Sequence, residues 1–199
     1  MTRRPHCLRC ARPLAGCLCA CIRPLDNAAP LLILQHPDEA RQAKGTAGLL
    51  ELCLSRCERL VGEQFAPPPP DDHPLLLLYP PDPARPEPPA TASGPVLPRL
   101  VLLDGTWRQS RQLLRASPWL QDLPRLALSA TPCSRYAIRK AHAPHQLSSL
   151  EAAALALAQL QPGLDNSPLW QALESFIALQ LALKTAGQAP ASGRSGASG

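Results

Sequence analysis

The chain has 199 residues, 45% of them hydrophobic and 18% charged, with a net charge of +5 and eight cysteines. That length supports one core of ordinary size plus a small appendage, and no window approaches the ~20 consecutive apolar residues of a membrane helix. Arg3 and Arg4 are followed by polar residues and cysteines where a signal peptide would need an apolar region. The chain therefore reads as cytoplasmic, a compartment in which its cysteines stay reduced.

Residues 1–25 form a head that carries Arg3, Arg4, Arg9, Arg12 and Arg23 and no acid. Cys7-x-x-Cys10 is followed after six residues by Cys17-x-Cys19. Thiolates held on tight turns at this spacing converge on one tetrahedral zinc. Cys21 is an alternative fourth ligand, and an iron–sulfur cluster draws on the same donors; zinc is the reading taken here. Four thiolates close the coordination shell, so the site is structural. It folds a segment too short to fold alone and presents Arg9, Arg12 and Arg23 to an anionic backbone. Cys53, Cys57 and Cys133 read as small core residues.

Leu31-Leu32-Ile33-Leu34 predicts a buried strand ending at Gln35-His36. The spacing of Leu49, Leu50, Cys53, Leu54 and Cys57 predicts a helix from about Thr46 to Leu60. Leu75 to Tyr79 is a second strand, bracketed by the prolines at 67–70 and at 80–81, which neither continue a helix nor donate to a ladder. Residues 80–98, rich in Pro, Ala, Ser and Glu, read as a mobile loop or extended insertion, so that 67–98 is a Pro-rich region. Leu100 to Leu103 is a third strand, with a helix starting near Thr106 or Trp107, and Leu126-Ala127-Leu128 is a short fourth. Ser148-Ser149-Leu150-Glu151 has the form of a capping box ahead of a run to Leu160. A last amphipathic helix fits about Leu169 to Lys184, and residues 186–199 read as a disordered tail. Apolar strands alternating with helical patterns predict an α/β core over residues 26–185 with a mainly parallel sheet.

The third strand runs into Asp104-Gly105-Thr106-Trp107, which places a carboxylate at the mouth of that sheet, where ligands bind outside the carboxyl ends of the strands. Arg108, Arg111 and Arg115 follow at helical spacing. Residues 99–140 hold seven arginines and Lys140 against Asp104 and Asp122, a balance that favours a polyanionic partner through counterion release. Other strand ends supply His36 and Glu39, Tyr79, and Ser134-Arg135-Tyr136 with Arg139 and Lys140. Taken singly, His36 fits a helix cap and Trp107 fits packing. Gathered at one mouth, these residues form a candidate site.

Cys7-x-x-Cys10 with Cys17-x-Cys19, His36-Pro37-x-Glu39, Leu103-Asp104-Gly105-Thr106-Trp107, Ser134-Arg135-Tyr136-x-x-Arg139 and Ser148-x-x-Glu151-Ala152 together resemble the DTW-domain family. Its Asp-x-Thr-Trp signature stands here at 104–107, and the resemblance covers about residues 7–184. The chain departs from the family in its Pro-rich stretches and in Ser149, where a threonine is common. The resemblance implies a tRNA-uridine aminocarboxypropyltransferase, which moves the 3-amino-3-carboxypropyl group of S-adenosylmethionine to N3 of a uridine and releases methylthioadenosine. The family is considered related to the SPOUT class, so a SPOUT-like fold with a C-terminal trefoil knot is expected on that ground alone.

On this reading Asp104, Thr106 and Trp107 are catalytic, Asp104 taking the imide proton or orienting the base through it. S-adenosylmethionine meets Tyr79, Leu103, Asp104, Gly105, Thr106, Trp107 and Leu128, its carboxylate at the helix N-terminus and the Thr106 hydroxyl. Trp107 stacks on adenine or the target base, or packs. Arg9, Arg12, Arg108, Arg111, Arg135, Arg139 and Lys140 are the expected tRNA contacts. Cys7, Cys10, Cys17 and Cys19 are the expected zinc ligands, and Glu151 the capping partner of Ser148. Two alternatives stay open: a SAM-dependent RNA methyltransferase, and a non-catalytic zinc-ribbon RNA-binding protein.

Overall fold

The computed structural model describes residues 5–81, 96–129, 132–136 and 147–188. Five parallel strands form one sheet: β1 (Leu31–Gln35), β2 (Cys57–Val61), β3 (Leu75–Leu78), β4 (Arg99–Asp104) and β5 (Arg125–Leu126), in the order β2-β1-β4-β3-β5. The helices are α1 (Pro37–Ala40), α2 (Ala47–Cys53), α3 (Trp107–Ala116), α4 (Ser149–Leu160) and α5 (Ser167–Gln188). The apolar runs predicted as strands at 31, 75 and 100 enter this sheet, whereas of the run 126–128 only Leu126 does, paired from Arg125. β1 is buried along its whole length and β4 at every residue after Arg99, as expected where helices cover both faces of a parallel sheet.

Successive residues of the central strands supply two apolar clusters, because side chains alternate across a strand. Ile33, Leu76, Leu100 and Leu102 pack with α2, α4 and α5 on one face. Leu34, Leu77, Val101 and Leu103 pack with Leu113 and Leu114 of α3 and with Leu120 on the other. Alanines 153, 154 and 156 of α4 are fully buried and let that helix approach the sheet closely. The head joins the first cluster through Leu18, Cys21, Ile22 and Leu25. It also docks polar groups: Arg12 donates to the carbonyls of Ala43 and, at 3.2 Å, Gly45.

The helix expected over 46–60 stops at Cys53, and Cys57–Val61 is instead the edge strand β2. The buried Asn27 explains the break. Its side chain donates to the Ala29 and Arg56 carbonyls at 2.8 and 3.0 Å and accepts from the Arg56 N–H at 3.1 Å, so it pins the turn from which β2 starts. Cys57 is accordingly half-buried on a strand, and Cys133, expected in the core, is exposed; only Cys53 of the three is a buried small residue. The last helix extends to Gln188, past the expected Lys184. Residues 82–95 of the Pro-rich region and 189–199 of the tail lie outside the described residues, as do 130–131 and 137–146, and with these last the path on which the expected knot turns. Among the described residues no helix is long and apolar enough to cross a membrane.

Candidate active site and metal centre

Strands β1 and β4 are neighbours, and their C-terminal residues Gln35 and Asp104 lie side by side in register. The chain leaves β1 through α1 and α2 onto one face of the sheet, and leaves β4 through α3 onto the other. Adjacent strands feeding opposite faces make a topological switch point, where a crevice opens at the strand ends. Asp104 stands at that crevice, only 3% exposed.

A chain of polar contacts crosses three strands to reach it. Arg59 on β2 donates to Glu51 of α2 at 2.7 Å and to the Gln35 side-chain oxygen Oε1 at 2.8 Å. The Gln35 amide, turned by that contact, donates to Asp104 Oδ2 at 2.8 Å. The Ser149 hydroxyl, at the start of α4, donates to the other carboxylate oxygen. Both oxygens therefore accept, the role of an ionised carboxylate. None of Glu51, Arg59, Gln35 and Ser149 stands in the sequence-based site. Arg59 escaped because its strand was read as helix, and only the position of Gln35 one residue before a strand-end histidine carried a signal.

His36 is the N-cap of α1, its Nδ1 accepting from the Asp38 N–H at 3.2 Å. The cap reading of this residue holds. Thr106 caps α3 in a full capping box: its hydroxyl accepts from the Gln109 N–H at 3.3 Å, and its own N–H donates to Gln109 Oε1 at 2.7 Å. The hydroxyl and amide expected to await a ligand carboxylate are thus engaged by Gln109. Gly105 allows this closure, since a Cβ there would lie 3.0 Å from Gln109 Cβ and 3.2 Å from Oε1.

On the β3 side of Asp104, Trp107 is 51% exposed and meets Tyr79 edge-on, with ring centroids 5.8 Å apart. The Arg125 guanidinium lies 5.5 Å from the Tyr79 centroid, within cation–π range. Burial pushes the Tyr79 hydroxyl up from its ordinary value, against the pull of Arg111 and Arg125. Arg108 and Arg111 project from α3 into solvent. The aromatic pair and these arginines make a cationic, flat-faced rim. Leu103 and Leu128 are not brought together: Leu103 packs in the α3 cluster and Leu128 against the opposite one.

Glu151, 1% exposed, completes the predicted capping box with Ser148 and does more. Its carboxylate accepts from the Ser148 N–H at 2.7 Å, the Arg135 N–H at 2.7 Å and the Ser134 hydroxyl at 2.8 Å. It thereby fixes the Ser134-Arg135-Tyr136 segment on α4. Glu151→Ala is expected to lower stability by about 2–4 kcal/mol, since it orphans the buried Ser148 N–H together with the part-buried Arg135 N–H and Ser134 hydroxyl; thermal denaturation measures it. Arg135 lies over Trp170 at 5.0 Å and pairs with the exposed Glu174 at 3.7 Å. Arg139 and Lys140 lie outside the described residues.

In the head, Cys7, Cys10, Cys17 and Cys19 place their sulfurs within 4.8 Å of one another. Cys7 to Cys19 is 3.6 Å and Cys10 to Cys17 is 3.7 Å. A tetrahedron with Zn–S bonds of ~2.3 Å has edges of about 3.8 Å, so the donor set fits one metal ion. Backbone N–H groups of Cys10 and Arg9 hold the Cys7 thiol down to about 6, which favours the thiolate a metal needs. Cys21 is not in this group; it is buried in the apolar core. Arg12, expected on RNA, is half-buried and fastens the head to the carbonyls at 43 and 45, whereas Arg9 is exposed.

The model of the DTW domain matches residues 4–181. The chain belongs to the DTW-domain family. A tRNA-uridine aminocarboxypropyltransferase 2 of Mus musculus is 34% identical to this DTW domain over 171 residues, 80% of this chain and 57% of the mouse protein. The protein of that name in Drosophila melanogaster is 35% identical over 172 residues, 80% of this chain and 68% of its own length. A tRNA-uridine aminocarboxypropyltransferase A of Arabidopsis thaliana is 28% identical over 138 residues. The chain thus spans little more than half of the mouse relative. No solved structure matches it.

Proposed function

We propose that this DTW domain transfers the 3-amino-3-carboxypropyl group of S-adenosylmethionine to N3 of a uridine in tRNA. The names of its relatives supply the reaction, and one observation on this chain carries it: a buried carboxylate, Asp104, at the switch point of a parallel sheet, flanked by an exposed tryptophan and cationic side chains. The uridine N3 proton passes to Asp104, the imide displacing the Gln35 amide from Oδ2. The freed lone pair bonds to the donor carbon attached to sulfur. The carbon–sulfur bond breaks with its electrons left on sulfur, and methylthioadenosine departs as a neutral thioether. Thr106 holds α3 in place, and Trp107 offers its face to a flat ring. Zinc on Cys7, Cys10, Cys17 and Cys19 folds the head and takes no part in the chemistry. The thiols suit a cytoplasmic, reducing setting.

Much of the rate gain comes from positioning, which supplies about 7–11 kcal/mol in well-oriented pairs, more than the factor of ~10²–10⁴ a general base contributes. Arg9, Arg108, Arg111 and Arg135 contact tRNA phosphates. Arg111→Gln is expected to weaken tRNA binding and to lower the slope of log K against log salt by about 1; an unchanged slope removes Arg111 from the interface. The deciding experiment is a mass spectrum of tRNA incubated with the protein and S-adenosylmethionine. An aminocarboxypropyl gain with methylthioadenosine released supports the proposal. A methyl gain with S-adenosylhomocysteine overturns it in favour of a methyltransferase, and RNA binding without any S-adenosylmethionine binding leaves a non-catalytic module.

A further inference from the structure

A cavity of about 270 Å³ lies between the cysteine head and the core, with Arg9 and Arg12 on the head side and Gln35, Glu39, Glu51 and Arg59 opposite. Gly48, in the first turn of α2, forms part of its wall. A Cβ built at Gly48 would meet nothing within 4 Å, and its φ is not positive. Neither backbone conformation nor close approach calls for glycine there, and glycine weakens a helix relative to alanine. What the absent side chain does is keep the cavity open.

The sheet sets Gln35 and Asp104 side by side on β1 and β4, and Tyr79, one residue past the end of β3, lies on the other side of β4, following Leu78, the partner of Leu102. Transfer between two substrates needs one on each side of the reacting group. The exposed Trp107 and its partner Tyr79 match the flat adenine of the donor. The cavity is polar, joined to Asp104 through Gln35, and has guanidinium and amide donors beside carboxylate acceptors. That mixture suits the alternating acceptor–donor–acceptor edge of a uracil ring. Its volume falls below the about 300–1,000 Å³ of sites that take drug-sized ligands, so it admits one nucleoside rather than the whole donor.

We infer that the head–core cavity is the pocket that receives the acceptor uridine, with Gly48 kept small so that the base can enter. This rests on the transferase reading above. The test compares wild type, Gly48→Ala and Gly48→Leu for transfer to unmodified tRNA, tRNA affinity, S-adenosylmethionine binding and melting temperature. Transfer is expected to fall in the order of side-chain size, kcat/KM for tRNA dropping about 100-fold or more in the leucine variant. S-adenosylmethionine binding stays as in wild type and the melting temperature does not fall. Wild-type kcat/KM in Gly48→Leu overturns the assignment. So does lost S-adenosylmethionine binding, which would give the cavity to the donor, or a melting temperature that falls together with activity. A wild-type protein that forms no aminocarboxypropyluridine sinks the proposed function instead. The cavity is then judged on tRNA affinity, and an unchanged affinity in Gly48→Leu overturns it as an RNA pocket.

Discussion

Asp104→Asn is expected to slow aminocarboxypropyl transfer by about 10²–10⁴-fold while the chain stays folded and binds S-adenosylmethionine. The change is nearly isosteric, and the site tolerates it geometrically. The asparagine oxygen accepts from the Gln35 amide, as Oδ2 does at 2.8 Å, and its NH₂ donates to a Ser149 hydroxyl that now accepts. What is lost is the ability to take a proton, so the defect falls on kcat rather than on stability. Single-turnover kinetics with matched melting curves measure it. Wild-type turnover in this variant would remove Asp104 as the base.

Stripping the metal is expected to have the largest effect on structure. Among the described residues, the helical structure of the head is two three-residue 3₁₀ turns, Leu14–Gly16 and Cys19–Cys21, pieces that do not stand without a cross-link. Structural zinc contributes about 10–16 kcal/mol to the folding of isolated finger peptides; here core contacts of Leu18, Cys21 and Ile22 retain part of that. Purified protein should carry one zinc per chain. Chelation should open the loop around Leu8 and Ala11 to proteases, lower the melting temperature and weaken tRNA binding. Full protease resistance after quantitative stripping would show that the four sulfurs pack without an ion.

The sequence pattern made the central sheet legible because each inner strand is a short apolar run ended by a polar residue, as at Leu100 to Asp104. The capping box at Ser148 also follows from local chemistry, and so does the four-cysteine group, whereas the box that Thr106 forms with Gln109 went unread because its hydroxyl was given to a ligand carboxylate. The edge strand β2 was hidden because Cys57-Glu58-Arg59-Leu60-Val61 is half solvated and its Cys57 fits a helical spacing. The residue that overrides that spacing, Asn27, acts on Arg56 across 29 positions. The same distance in sequence concealed the partners of Asp104: the register that sets Gln35 beside it, the turn of the Gln35 amide by Arg59, and the reach of Ser149 from α4 are tertiary facts. Glu151 was legible as a cap but not as the anchor of Arg135, which is 16 residues away.

The pairing of Gln35 with Asp104 also bears on how the molecule assembles. These residues are 69 positions apart, and every strand pairing in the sheet is parallel, so no hairpin can start it. Closing such a long segment incurs its entropic cost before the apolar contacts of β1 and β4 return anything, and topologies of this kind fold slowly. The cysteine group, by contrast, spans a separation of 12 positions and closes over a short loop. During synthesis the head is complete while β1 still awaits β4, so the Asp104 carboxylate is expected to meet its Gln35 partner late in folding. Substitutions along the β1–β4 seam should therefore register in the folding rate before they register in chemistry.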